Sequence, residues 1–140
     1  MPHDTPPLAH CQTRDNIATI TLANERSRNA LSLAMIDALT TIFTKLAERR
    51  DVHIIVLQAD GPAFCAGHDL RELTAHRDDD DAGHAFYART MTACSTLMRH
   101  IIAVPQPVIA AVDGIATAAG CQLVATCDLA VAGPHARFCT

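Results

Sequence analysis

Ala63-Phe64-Cys65-Ala66-Gly67-His68-Asp69-Leu70 holds the small-residue pair Ala66-Gly67 between two regular elements. Before it comes His53-Ile54-Ile55-Val56-Leu57-Gln58, apolar and β-branched, which reads as a buried strand, and then the turn Asp60-Gly61-Pro62. After it, Asp69-Leu70-Arg71-Glu72-Leu73 reads as the first turn of a helix, with Asp69 as its N-cap. Strand, tight loop and helix start together leave backbone N–H groups unpaired. Gly67 lets a ligand approach that backbone closely. Such a loop suits a negatively charged oxygen.

A second stretch has the same design. Pro107-Val108-Ile109-Ala110-Ala111-Val112-Asp113-Gly114 is an apolar strand ending at glycine, and Ile115-Ala116-Thr117-Ala118-Ala119-Gly120-Cys121-Gln122-Leu123 leads through small residues into a helix. Two loops of this kind in one domain can supply two N–H donors to one oxygen, which is an oxyanion hole.

Together the stretches resemble the signature of the crotonase (enoyl-CoA hydratase/isomerase) superfamily. Phe64, Ala66, Gly67, Asp69 and Leu70 match its first motif, Phe-x-Ala-Gly-x-Asp-Leu. Pro107, Ile109 to Val112, Gly114, Gly120, Cys127 and Asp128 match its second. The likeness runs in register from Ile17 to Thr140. The spellings Ala66 to Leu70 and Ala118 to Leu123 are similar to the enoyl-CoA hydratase domain-containing protein 3 group of that superfamily. The resemblance implies an α/β fold: the N-terminal part of a crotonase-like ββα spiral (the ClpP/crotonase fold), with a parallel sheet and flanking helices. Family members are much longer, so residues 1–9 are expected to form a flexible tail and 10–140 a partial acyl-CoA-binding domain lacking the C-terminal half, as in a truncated product or fragment. Full-length relatives form trimers or hexamers, an assembly this chain need not share.

The resemblance also implies the chemistry. Its ligand is an acyl-CoA or enoyl-CoA, with the coenzyme A thioester as substrate and no further cofactor. The thioester oxygen would meet the backbone N–H groups of His68 and Ala119. Ser27, Arg28 and Ala30 would lie near the nucleotide, and Ala66, Gly67, Asp69, Leu70 and Gly120 would line the substrate site. Ala119 stands where glycine is usual and lacks glycine's freedom of backbone angle. Gln122 occupies the position of the usual catalytic glutamate, and the second glutamate would fall beyond Thr140. An amide holds water or a thioester by hydrogen bonds but is no general base near neutral pH. Two readings follow: a hydratase/isomerase-like lyase of fatty acid metabolism that stabilises a thioester enolate, or a non-catalytic acyl-CoA-binding or regulatory member, or inactive fragment. His68 has a ring able to shuttle protons, but a histidine with no partner is read as contributing its N–H alone.

Composition bounds the rest. The chain has 140 residues, 49% of them hydrophobic, and a net charge of −4 without a basic cluster, which argues against a nucleic-acid surface. No apolar run is long enough to span a bilayer. Met1-Pro2-His3-Asp4-Thr5-Pro6-Pro7 resembles neither a signal nor a transit peptide, so a cytoplasmic protein is expected. The six cysteines are scattered without a C-x-x-C pair and read as reduced core thiols, not a metal site.

Between the motifs, His10 to Arg14 and Ile17 to Leu22 read as a hairpin about Asp15-Asn16. Met35, Ile36, Leu39, Ile42, Phe43 and Leu46 follow helical spacing after a Ser32 cap. Arg26 and Arg28 read equally as solvated charges or as phosphate contacts. Asp78 to Asp81 read as a mobile surface loop. His84 to Val104 reads as a helix whose apolar set is Phe86, Tyr87, Met91, Cys94, Leu97, Met98 and Ile101, more simply core than acyl-pocket wall. Gly114 to Gly120 reads as a loop, Cys121 to Cys127 as a short helix, and Leu129 to Ala132 and Arg137 to Cys139 as strands.

Overall fold

A computed structural model of the chain describes residues 6–140. Met1 to Thr5 of the expected tail lie outside the described residues. Strand pairing begins at Ala9, one residue inside the expected tail: β1 (Ala9–Arg14) and β2 (Ile17–Leu22) form an antiparallel hairpin from Ala9↔Leu22 to Arg14↔Ile17. Its turn residues, Asp15 and Asn16, take φ of 50° and 64°, the left-handed pair that a two-residue hairpin turn requires and that Asx side chains tolerate.

A turn of 3-10 helix, Glu25–Ser27, leads to α1 (Leu33–Ala47), which starts where Ser32 accepts a hydrogen bond from the Met35 N–H. Met35, Ile36, Leu39, Phe43 and Leu46 form its buried stripe. Then β3 (Ile54–Ala59) runs parallel to β2, β5 (Val108–Val112) parallel to β3, and β7 (Leu129–Ala132) parallel to β5. The large sheet therefore has the order β1-β2-β3-β5-β7.

The two small-residue stretches are not plain loops. Each contains a three-residue strand, β4 (Ala63–Cys65) and β6 (Ile115–Thr117), which pair in parallel with each other, and β6 pairs in parallel with β8 (Arg137–Cys139) in a second sheet of order β4-β6-β8. The structure thus repeats one unit, a strand in the large sheet, a strand in the small sheet, then helix. After β3 and β4 come α2 (Leu70–Ala75) and α3 (His84–Ala103); after β5 and β6 comes α4 (Ala119–Thr126). This is the expected spiral, a repeat of geometry that the sequence does not spell.

The core joins the α1 stripe to Ile20, Leu22, Ile55 and Leu57 of the large sheet and to Cys94, Leu97, Met98 and Ile101 of α3. Only this C-terminal half of the α3 apolar set is core. Phe86 and Tyr87 are half-buried, and Met91 is 44% exposed. Gln106 ties the sheet to α1: its Nε2 donates to the Leu46 and Arg49 carbonyls, each at 2.9 Å.

The aspartate run is more ordered than a mobile loop. Asp79 accepts from His76 Nδ1 at 2.7 Å, and the His76 ring stacks on Phe86 at 3.7 Å. The Asp81 carboxylate accepts from the N–H groups of Ala85 (2.7 Å) and Gly83 (3.0 Å), capping α3. The Ala85 bond, and then that of Gly83, hold this carboxyl below its usual range.

The last strands differ from the rest. Every residue of β7 and β8 is exposed, with Leu129 and Val131 at 62% and Phe138 at 53%. Each strand has one paired edge and one free edge. Apolar side chains beside an open edge favour association. The chain is expected to self-associate in size-exclusion chromatography with light scattering, and Leu129→Lys with Val131→Lys to shift it towards monomer. An unchanged profile would place any association elsewhere.

Candidate functional site

The loop between β4 and α2 is fixed from both sides. Ala66 N–H donates to the Arg28 carbonyl (3.1 Å) and Leu31 N–H to the Gly67 carbonyl (2.7 Å). Asp69 caps α2, accepting from the N–H groups of Arg71 (3.0 Å) and Glu72 (3.2 Å). Glu72 in turn accepts from Leu33 N–H at 2.9 Å, tying α2 to the start of α1. Among the described residues the His68 N–H has no acceptor.

The second loop leaves β6 at Thr117. Ala118 N–H donates to the Cys139 carbonyl at 2.8 Å, and the Ala118 carbonyl accepts from Gln122 N–H at 3.2 Å. This leaves the N–H of Ala119, first residue of α4, without an acceptor among the described residues. The backbone angle that aims it is unusual: Ala118 has φ 50° and ψ −119°, a strain of about 1–3 kcal/mol for a residue with a Cβ. The demand for glycine-like angles, expected at Ala119, falls one residue earlier. Ala119 itself is helical and buried.

The two loops touch. Gly67 has φ +84°, and a Cβ placed on it would lie 2.9 Å from the Thr117 carbonyl oxygen, 3.2 Å from Ala118 Cβ and 3.4 Å from Ala119 N. Only glycine allows this approach. Gly120 does the same for the helix, since a Cβ there would lie 2.2 Å from the Cys65 carbonyl oxygen. Two backbone N–H groups without acceptors are thereby carried on two loops in contact, each loop anchored by its own strand.

Two recesses meet at Leu70, beside the first of these loops. One, of about 540 Å³, is lined by Arg26, Ser27, Arg28, Ala30, Ala66, His68, Asp69, Leu70 and Arg71. Among the described residues none of its three guanidiniums is paired with a carboxylate, and Asp69 is occupied in capping α2. The cavity is therefore rich in donors and suits an anion. The other, of about 300 Å³, is an apolar groove between α2 and α3 lined by Leu70, Leu73, Thr74, Arg77, Tyr87 and Met91. Leu70, common to both, stands at their junction.

Seven residues expected at the site from the sequence, Ser27, Arg28, Ala30, Ala66, His68, Asp69 and Leu70, thus share one cavity. Gly67, Ala119 and Gly120 are buried and do not line it; Gly67 and Gly120 instead set the contact between the two loops. Gln122 is exposed on α4 and lines neither recess. Arg71 and Asn29 were missed. Asn29 is fully buried at φ 54°, its Nδ2 donating to the carbonyls of Asp60 and Ala63, each at 2.9 Å, while its Oδ1 accepts from Asn24 N–H at 2.8 Å. It holds the Arg26 to Ala30 segment against the start of β4. Asp128 is structural, accepting from Val108 N–H at 2.7 Å. Burial pushes the Cys65 thiol up to about 11, so it is protonated at neutral pH and a poor nucleophile.

Against this geometry the comparisons are consistent. The sequence profile of the enoyl-CoA hydratase/isomerase family matches residues 12–140. The mitochondrial enoyl-CoA hydratase domain-containing protein 3 of Mus musculus is 45% identical over 135 residues, which is 96% of this chain and 43% of that protein. A solved structure of an enoyl-CoA hydratase from Mycobacterium smegmatis superposes with a TM-score of 0.87 at 46% identity, covering 95% of this chain and 50% of that one. The human enoyl-CoA hydratase domain-containing protein 3 structure gives 0.87 at 44% identity, with 95% and 51% covered. The chain spans about half the length of the relatives it matches. The expected cytoplasmic location is overturned: the mouse, rat and human relatives are named as mitochondrial. No helix among the described residues is long and apolar enough to cross a membrane.

Proposed function

Because the chain belongs to the enoyl-CoA hydratase/isomerase family, we propose that it binds an acyl-CoA thioester across the Leu70 junction and stabilises the thioester enolate. The coenzyme's phosphates occupy the basic cavity, with Arg26, Arg28 and Arg71 as counter-charges. The acyl chain runs into the groove of Leu73, Tyr87 and Met91. Between them the thioester oxygen accepts from the N–H groups of His68 and Ala119. The contact of the two loops at Gly67 is the observation that supports this reading, because each of the touching loops carries one backbone N–H without an acceptor among the described residues. When a proton leaves Cα or water adds at Cβ, charge grows on that oxygen; each donor fixed beforehand is worth about 2.7–4 kcal/mol. Substrate and chain suffice in this scheme, with no cofactor beyond the thioester itself.

Gln122 supports a second reading, binding without turnover. It stands exposed on α4 where the family's hydratases use a glutamate, and an amide takes no proton from water near neutral pH. Calorimetry with crotonyl-CoA, together with loss of the enoyl absorbance, separates the two. Turnover supports the lyase; saturable binding without turnover supports the non-catalytic member; no binding by folded chain rejects both. Arg28→Gln and Arg71→Gln should each weaken crotonyl-CoA binding about fivefold to tenfold, less so at high salt. Equal affinity in both variants would remove the phosphates from this cavity.

A further inference from the structure

His68 contributes a side chain as well as an N–H, and the position of its ring carries a separate consequence. The imidazole Nδ1 is enclosed and has no hydrogen-bond partner. The Nε2 is not enclosed in this way and is bonded to nothing among the described residues. His68 lines the basic cavity with Arg26, Ser27, Arg28 and Arg71, and it is not part of the apolar groove. The one carboxylate beside it, Asp69, is turned to the α2 N–H groups. An enclosed Nδ1 costs most when it carries a proton with no acceptor, since orphaned buried N–H groups are the rarer kind. The proton is therefore assigned to Nε2, the nitrogen that is not enclosed.

From this we infer that the His68 ring is a positioning residue for the pantetheine–phosphate portion of coenzyme A, donating one hydrogen bond from Nε2–H. This rests on the proposed acyl-CoA reading and deepens it. The ring lies on the phosphate side of the junction, while the carbon atoms that gain or lose a proton lie on the acyl side. Its own backbone N–H marks the boundary between them. The ring consequently acts on binding of the coenzyme and leaves proton transfer at the acyl chain to other groups or to none.

The test uses three probes on the same 140-residue chain: crotonyl-CoA, free coenzyme A, and the crotonyl thioester of N-acetylcysteamine, which lacks the phosphates and most of the pantetheine. His68→Leu should weaken crotonyl-CoA and free coenzyme A alike, by about tenfold, and weaken the short thioester less. His68→Gln, which retains an N–H donor of similar reach, should recover most of the loss. Nitrogen-15 NMR of the wild-type ring should give the Nε2–H tautomer, with the Nε2–H proton shifting on addition of free coenzyme A. A loss confined to the short thioester, an unshifted ring resonance, or a fall in turnover at unchanged affinity would overturn the assignment. Failure of the wild-type chain to bind any of the three would instead reject the acyl-CoA reading, and the role of the ring with it.

Discussion

Gly120→Ala is expected to remove acyl-CoA binding and to cost roughly 3 kcal/mol of stability, the upper part of the usual range for overpacking. The added methyl would sit 2.2 Å from the Cys65 carbonyl oxygen, and neither partner can yield cheaply. Cys65 lies within β4, which is paired to β6, and Gly120 lies in the first turn of α4. The helix must therefore move away from the strand, carrying the Ala119 N–H out of register with that of His68. Urea denaturation gives the first effect and calorimetry with crotonyl-CoA the second. Wild-type affinity in a folded variant would mean that α4 does not position an oxyanion donor.

Asn29→Ala should be about as damaging, at roughly 3 kcal/mol, since one buried and two part-buried backbone groups lose their partner. The two carbonyls it bridges, those of Asp60 and Ala63, flank the turn into β4, and the third bond, from Asn24 N–H, closes the Glu25 to Arg28 turn. Alanine would also have to hold φ 54°, where a Cβ is unfavourable. Asn29→Gly separates the two causes: it keeps the backbone angle, loses the same hydrogen bonds, and should fall between wild type and alanine. If glycine and alanine melt alike by calorimetry, the side-chain bonds account for the whole effect. Both should weaken coenzyme binding, because Arg26 and Arg28 ride on the segment that Asn29 holds.

How far the sequence could be read depended on the range of the interactions. The α1 stripe is a local period of 3.6 residues, so Met35, Ile36, Leu39, Phe43 and Leu46 were visible without any knowledge of their partners. The Ser32 and Asp69 caps are local too. By contrast, β4 and β6 are three residues each, too short for alternation to register, and they are strands only because each finds the other from 50 residues away in the chain. Asn29 gave no signal, since a polar residue in a polar loop looks the same whether it is solvated or bridges two distant carbonyls. The α3 apolar set looked uniform but serves two purposes, core at Cys94, Leu97 and Ile101 and groove at Tyr87 and Met91, because one end of the helix packs into the core and the other faces α2 across the groove. The strain at Ala118 was displaced by one residue from its expected place, as backbone angles follow from where the helix must start and not from which residue replaces glycine. Arg71 escaped because a charge in the first turn of a helix is common on any surface.

The order of the large sheet bears on how the chain is made. Its parallel strands are laid down side by side in the sequence in which they are synthesised, β2, β3, β5 and then β7, with no later strand inserted between two earlier ones. The small sheet advances in step as β4, β6 and β8. A polypeptide emerging from the ribosome can therefore add one complete layer at a time onto a finished neighbour, never having to reopen a pairing already formed. Such an order limits each loop closure to the interval between successive strands of a sheet, which keeps its entropic cost below that of pairing across the whole chain. On the growing side of each sheet the open strand is always the newest one, and the same edge that invites unwanted association is the template on which growth proceeds.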